Sequence, residues 1–138
     1  MDIESNCRKE VVELHEFFQQ WFTGELPQTE EALDRFVSVV AEGFHIVSPA
    51  GRIMQRDRIL DAVRGGYRSG PVKIWIKNHT HRLTLGDLAL VTYEEWQSSG
   101  DETRGRLSSA LLRVKAGLLN DLQWLHVHET WLPETAVK

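Results

Sequence analysis

The sequence predicts an α+β domain: a curved antiparallel sheet with three helices packed on it. Three observations carry this. In the first half, apolar residues recur every three or four positions, the helical period. In the second half they alternate with period two, the strand period. The separators Gly86-Asp87, Ser99-Gly-Asp101 and Ala116-Gly117 are short enough to join neighbouring antiparallel strands. Helices first and strands afterwards define the α+β class rather than alternating α/β.

The first helix is predicted over about residues 4–23, where Val11, Leu14, Phe17, Phe18, Trp21 and Phe22 share a face. Gly24 and Pro27 end it. Thr29 is a good N-cap for a second helix, and Glu30 and Glu31 favour its first turn. Leu33, Phe36, Val37, Val40 and Ala41 would form its apolar face. Phe44 to Ser48 reads as a strand, Pro49-Ala-Gly51 as a turn, and Arg52-Ile-Met54 as a returning strand. Asp57 to Tyr67 is the third helix, with Ile59, Leu60 and Val63 apolar. Strands follow at about 72–85, 88–98, 104–115 and 121–132.

At 138 residues the chain suits one domain, taken as 1–138. Its formal net charge of −4 offers no basic field for nucleic acid. Cys7 is the only cysteine, which excludes an internal disulfide and a multi-cysteine zinc site. The N-terminus is polar and acidic, unlike a signal peptide, and no apolar run reaches membrane-spanning length. A cytoplasmic protein with no membrane partner is the expectation.

Short turns allow a register to be estimated. They bring Tyr93 opposite Ser108 and Glu95 opposite Arg106. They also place Thr80 near Tyr93, Asn78 near Glu95, His128 near Ser108 and His126 near Ala110. One sheet face would then carry Asn78, Tyr93, Glu95, Arg106, Ser108, Trp124, His126 and His128. The other would carry Trp75, Trp96, Leu107, Leu111, Leu125, Val127 and Trp131. A bulge would flip part of this, and the long 72–85 run is where one is most expected. Helices on the mixed face would close a pocket. The Leu/Val/Trp face would be covered by a second copy, through Leu107, Leu111, Leu125, Val127 and Trp131.

Ser48-Pro-Ala-Gly51, Gly86-Asp-Leu-Ala-Leu-Val91 and His126-Val-His-Glu-Thr130, in this order, resemble the nuclear transport factor 2-like superfamily. Within it the chain resembles the SnoaL-like and calmodulin-dependent-kinase-association-like branch. The resemblance spans essentially the whole chain. It implies a cone-shaped, cystatin-like α+β roll, a pocket between helices and sheet, and a dimer through the outer sheet face. It implies no single activity, since members include isomerases, cyclases, dehydratases, hydrolases and assembly domains.

Tyr93, Glu95 and His128 are the candidate acid/base and hydrogen-bonding groups, because a hydroxyl beside an imidazole or carboxylate can relay a proton. Trp21, Asn78, Arg106, Ser108, Trp124 and His126 are candidate ligand contacts. The same polar residues equally suit an internal structural network. Phe17, Phe18, Trp21, Phe22 and Trp124 suit either cavity walls or plain core. The pairs His79/His81 and His126/His128 have a metal-ligand spacing, but the register sends them to opposite faces, so no metal or other cofactor is expected. Ketosteroid-isomerase chemistry lacks its parts: the first helix has no tyrosine, and His45 stands where an acidic residue is expected. Two readings result. One is a non-catalytic small-molecule-binding domain; the other is a cofactor-independent isomerase, dehydratase or cyclase.

Overall fold

The computed structural model describes residues 2–71 and 73–133. Helix α1 (Ile3–Phe22) starts where the Asp2 side chain accepts from the Ser5 amide at 3.3 Å. It buries Cys7, Val11, Leu14, Phe17 and Trp21, and also Glu10 and His15. Each buried apolar side chain contributes ~2 kcal/mol. One cap bond contributes ~1 kcal/mol, so packing rather than capping fixes this helix. Helix α2 (Glu30–Val37) begins at Thr29, whose hydroxyl accepts from the Ala32 amide at 3.1 Å, as expected.

Helix α2 ends earlier than its apolar spacing suggests. Val40 and Ala41 open strand β1 (Val40–Val47) instead. The deciding contact is non-local: the Trp124 amide donates to the Val39 carbonyl at 2.7 Å, and β1 runs parallel to the last strand. Strand β2 (Ile53–Gln55) returns antiparallel after a turn at Gly51, whose φ of 78° is left-handed. Helix α3 (Arg56–Gly65) and strands β3 (Lys73–Leu85), β4 (Leu88–Ser99), β5 (Glu102–Val114) and β6 (Leu122–Trp131) complete the chain. A 3₁₀ turn spans Leu119–Asp121 before β6. Val72, expected at the start of β3, lies outside the described residues.

The six strands lie in the order β2-β1-β6-β5-β4-β3. The α+β class, the three helices and the hairpin-linked strands all meet the expectation. Among the described residues no helix is long and apolar enough to cross a membrane.

Register decides what faces the helices. Tyr93 pairs with Ser108 and Glu95 with Arg106, as the turns predict. On β6 the expected register is one residue out. Ser108 faces Glu129, Ala110 faces Val127, and Leu111 faces His126. The pairing skips between Leu111 and Leu112, which faces Trp124, so Leu125 is an extra residue in β6. Strict alternation from Trp124 would send His126 and His128 toward the helices. The bulge at Leu125 sends Val127 and Glu129 there and turns both histidines outward. Val127 is accordingly buried in the core, not on the outer face. Trp131 faces Arg106 across the ladder, and Arg104 stacks over its ring at 3.7 Å. Leu107 and Leu111 keep their expected outward direction.

Strand β3 carries the irregularity expected of it, twice, between Lys77 and Thr80 and between His81 and Leu83. Asn78 sits at the first with a φ of 52°. It therefore does not face Glu95; Ile76 does, and Asn78 donates to Glu94 at 2.9 Å on the other face. Thr80 pairs with Thr92 rather than Tyr93. The His79 ring lies nearly parallel to that of Tyr93, at an interplanar angle of 9°. The two histidine pairs do occupy opposite faces, with the sides exchanged.

Glu10 fixes α1 over the sheet. Its carboxylate accepts from both Arg35 Nη atoms at 3.2 and 2.9 Å, and from Asn120 Nδ2 and Trp124 Nε1, each at 2.9 Å. A buried carboxylate with four donors is fully satisfied, so its role is structural.

Candidate functional site

The helices and the inner sheet face line a half-open cavity of about 160 Å³. Phe18 and Phe22 of α1, Phe36 of α2, Ile59 and Val63 of α3, and Trp124 of β6 form most of its wall. Its polar end gathers His15 from α1, Tyr93, Glu95 and Gln97 from β4, Arg106 from β5 and Glu129 from β6. Alternation aims Tyr93, Glu95 and Gln97 at one face, and the Leu125 bulge adds Glu129 to it.

Glu95 is the centre of the polar end. Its Oε1 lies 3.0 Å from His15 Nε2, and Arg106 Nη2 donates to both its oxygens at 3.0 and 2.9 Å. Gln97 Nε2 also donates to it. Burial by itself pushes this carboxyl up. The His15 ring, Arg106 and Gln97 outweigh burial and hold it well below the usual carboxylate range. His15 Nδ1 lies 2.7 Å from the Val11 carbonyl. Each ring nitrogen therefore faces an oxygen acceptor.

Glu129 behaves in the opposite way. Burial raises its carboxyl, Glu95 adds to the rise, and Arg106 only partly offsets it. Arg106 Nε is 3.2 Å from Glu129 Oε2, close enough for an ion pair but not aligned as a hydrogen bond. Tyr93 is pushed well above its ordinary range by burial, then by Glu95 and Glu129. At neutral pH it is a hydrogen-bond donor, not a base. Its cross-strand neighbour Ser108 is fully buried, with no well-formed bond to its hydroxyl.

Of the residues expected from sequence, Tyr93, Glu95, Arg106 and Trp124 line the cavity together. Phe18 and Phe22 line it too. Ser108 lies behind Tyr93. Trp21 is core: its indole donates to the Val63 carbonyl at 2.7 Å and its ring stacks near Phe17. Asn78, His126 and His128 lie on the far side of the sheet. His15, Gln97 and Glu129 are the three polar lining residues that sequence reasoning missed. His15 stands four residues after Val11 and three before Phe18, so the helical period already puts it on the buried face. Glu129 was hidden by the bulge.

A curved sheet closed by three helices around a polar-ended cavity is the nuclear transport factor 2-like architecture, as the sequence motifs imply. The structure is similar to an NTF2-like protein of unknown function from Pseudomonas aeruginosa, with a TM-score of 0.83 and 26% identity over 93% of this chain and 99% of that one. The family model "Sucrose-6-phosphate phosphohydrolase C-terminal" matches residues 7–133, and the chain belongs to that family. Sucrose-phosphatase 2 and sucrose-phosphatase 1 of Nicotiana tabacum are each 28% identical to it, over 89% and 92% of this chain. The chain spans only 30% and 31% of their lengths.

Proposed function

We propose that this chain is a non-catalytic small-molecule-binding domain whose ligand carries one apolar ring and a neutral polar end. The observation behind this is the apolar cavity of about 160 Å³ with Glu95, Arg106 and Glu129 at one end. A cavity near 150 Å³ accommodates a benzene-sized ring. The family name points to sucrose 6-phosphate, but only part of a two-ring phosphosugar would fit inside this volume. A phosphate dianion would also meet two carboxylates and an arginine already paired to them. The reading therefore favours a ligand such as phenol or cyclohexanone over the phosphosugar. The test is calorimetric titration with phenol, cyclohexanone and sucrose 6-phosphate. Val127→Phe, which narrows the cavity, should weaken ring binding while the chain stays folded. No heat from any one-ring compound would sink the reading.

A second reading rests on Glu129. A carboxyl held up by burial beside a cavity, with Tyr93 and Arg106 as donors, suits acid/base chemistry of an isomerase, dehydratase or cyclase. Conversion of a ring ketone that is lost in Glu129→Gln, with binding retained, would favour it over simple binding.

We read the outer sheet face as a homodimer seam. Leu83 and Leu107 are 44% and 40% exposed there, beside Leu90 and Leu111, and the cavity and its helices lie on the opposite face. The occupant is a second copy of this chain. Sedimentation of Leu107→Glu at the wild-type concentration should show half the mass; an unchanged mass excludes the seam.

A further inference from the structure

We propose that His45, His126 and His128 form a binding site for a borderline divalent transition-metal ion on the outer sheet face. The three come together because β1 and β6 run in parallel: His45 is the register partner of His126, and Val47 of His128. The bulge at Leu125 turns both β6 histidines to this side.

The hydrogen-bond order prepares a nitrogen lone pair. His45 Nδ1 lies 3.0 Å from the Gly43 carbonyl. A carbonyl only accepts, so Nδ1 carries the hydrogen and Nε2 of the neutral ring is bare. A backbone carbonyl on the remote nitrogen is the usual way a metal-binding histidine is oriented. That bare Nε2 faces His126 Nδ1 at 2.9 Å, with the ring centroids 4.7 Å apart. Two imidazole nitrogens on a tetrahedral zinc ion stand about 3.3 Å apart, so the pair needs to open by about 0.4 Å. A change of tautomer on His126 moves its hydrogen to Nε2 and frees Nδ1, with no net proton released.

Among the described residues no three metal-type side chains are already drawn around one point. The third donor is His128, two residues along the same strand face and 6.4 Å from the His126 ring centre. It is exposed in the single chain, so a side-chain rotation brings it in without disturbing the core, and in the proposed dimer the site lies beside Leu111, the register partner of His126. A set of imidazoles selects Cu²⁺, Ni²⁺ or Zn²⁺ over Mg²⁺ or Ca²⁺, with Cu²⁺ held tighter than Zn²⁺.

The experiment is titration of tag-free, chelator-treated chain with Zn²⁺ and Cu²⁺ by calorimetry. Saturable binding at no more than one ion per chain is expected. His45→Gln and His126→Gln should each weaken it by at least about tenfold, and His128→Gln should weaken it too. His79→Gln with His81→Gln should leave it unchanged. As a readout that needs no variant, Cu²⁺ should broaden the imidazole NMR signals of His45, His126 and His128 before those of the other histidines. Absence of saturable binding, or broadening that begins at His79 and His81, overturns the site.

Discussion

His15 on α1 and Glu95 on β4 lie 80 residues apart in sequence and meet at 3.0 Å beneath the cavity. The pair ties the first helix to the central strand, and Arg106 closes it on the far side at 2.9 Å. Removing one partner strands the others in a buried site. Glu95→Gln should therefore destabilise the chain by ~3–5 kcal/mol. Urea denaturation at neutral pH measures this, and a loss under ~1 kcal/mol would show that the network is not coupled.

The pH dependence of that loss has a definite sign. Glu95 is held below its ordinary value in the folded chain. Its stabilisation is complete above the unfolded value of about 4.3 and is lost as pH falls from there toward the folded value. The urea midpoint of the wild type should fall on acidification below about pH 5, and Glu95→Gln should flatten that limb.

Glu129 should shape the opposite limb. Its folded carboxyl titrates above the unfolded one. Below the unfolded value it carries no penalty. As pH rises above about 4.3, the unfolded chain releases the proton first and stability declines until the folded value is passed. Glu129→Gln should remove this decline while leaving the Glu95 limb. Midpoints measured from about pH 2 to about pH 8 separate the two carboxyls, and an unaltered upper limb in Glu129→Gln contradicts the assignment.

Gly105 lies on the outer face opposite Trp96, whose ring covers it; an added Cβ would stand 2.8 Å from that ring. Gly105→Ala should displace the indole and its 3.0 Å bond to Glu94, at a cost of ~1–3 kcal/mol. Tryptophan emission should shift, while ring-ligand binding on the inner face persists. An unchanged spectrum and midpoint would mean that Trp96 moves aside freely.

What was legible in the sequence follows the range of each interaction. Thr29 capping α2 and the turn at Gly51 are local, and they were readable. Tyr93–Ser108 and Glu95–Arg106 follow from one tight hairpin and were readable too. Val40 and Ala41 fit a helix by spacing, and only the partner strand β6, far along the chain, makes them a strand. The bulge at Leu125 leaves no mark in an alternating run such as Trp124 to Trp131, so the inward group became His128 instead of Glu129. His15 was visible by helical period, but a polar residue on an apolar face carries no partner's name with it. Glu95 had to be placed first.

The β6 register admits a direct test with one charge at two adjacent positions. Val127 is 5% exposed within the apolar core, beside Ala110, whereas His128 is exposed on the other face. A carboxylate at Val127 would be buried among apolar groups with no designed partner, costing ~3–5 kcal/mol or more. Val127→Glu should thus lower the urea midpoint sharply or prevent folding, whatever the oligomeric state. His128→Glu should remain within ~1 kcal/mol of wild type, since its side chain reaches water. The opposite ranking would restore strict alternation through Leu125 and return His128 to the cavity side.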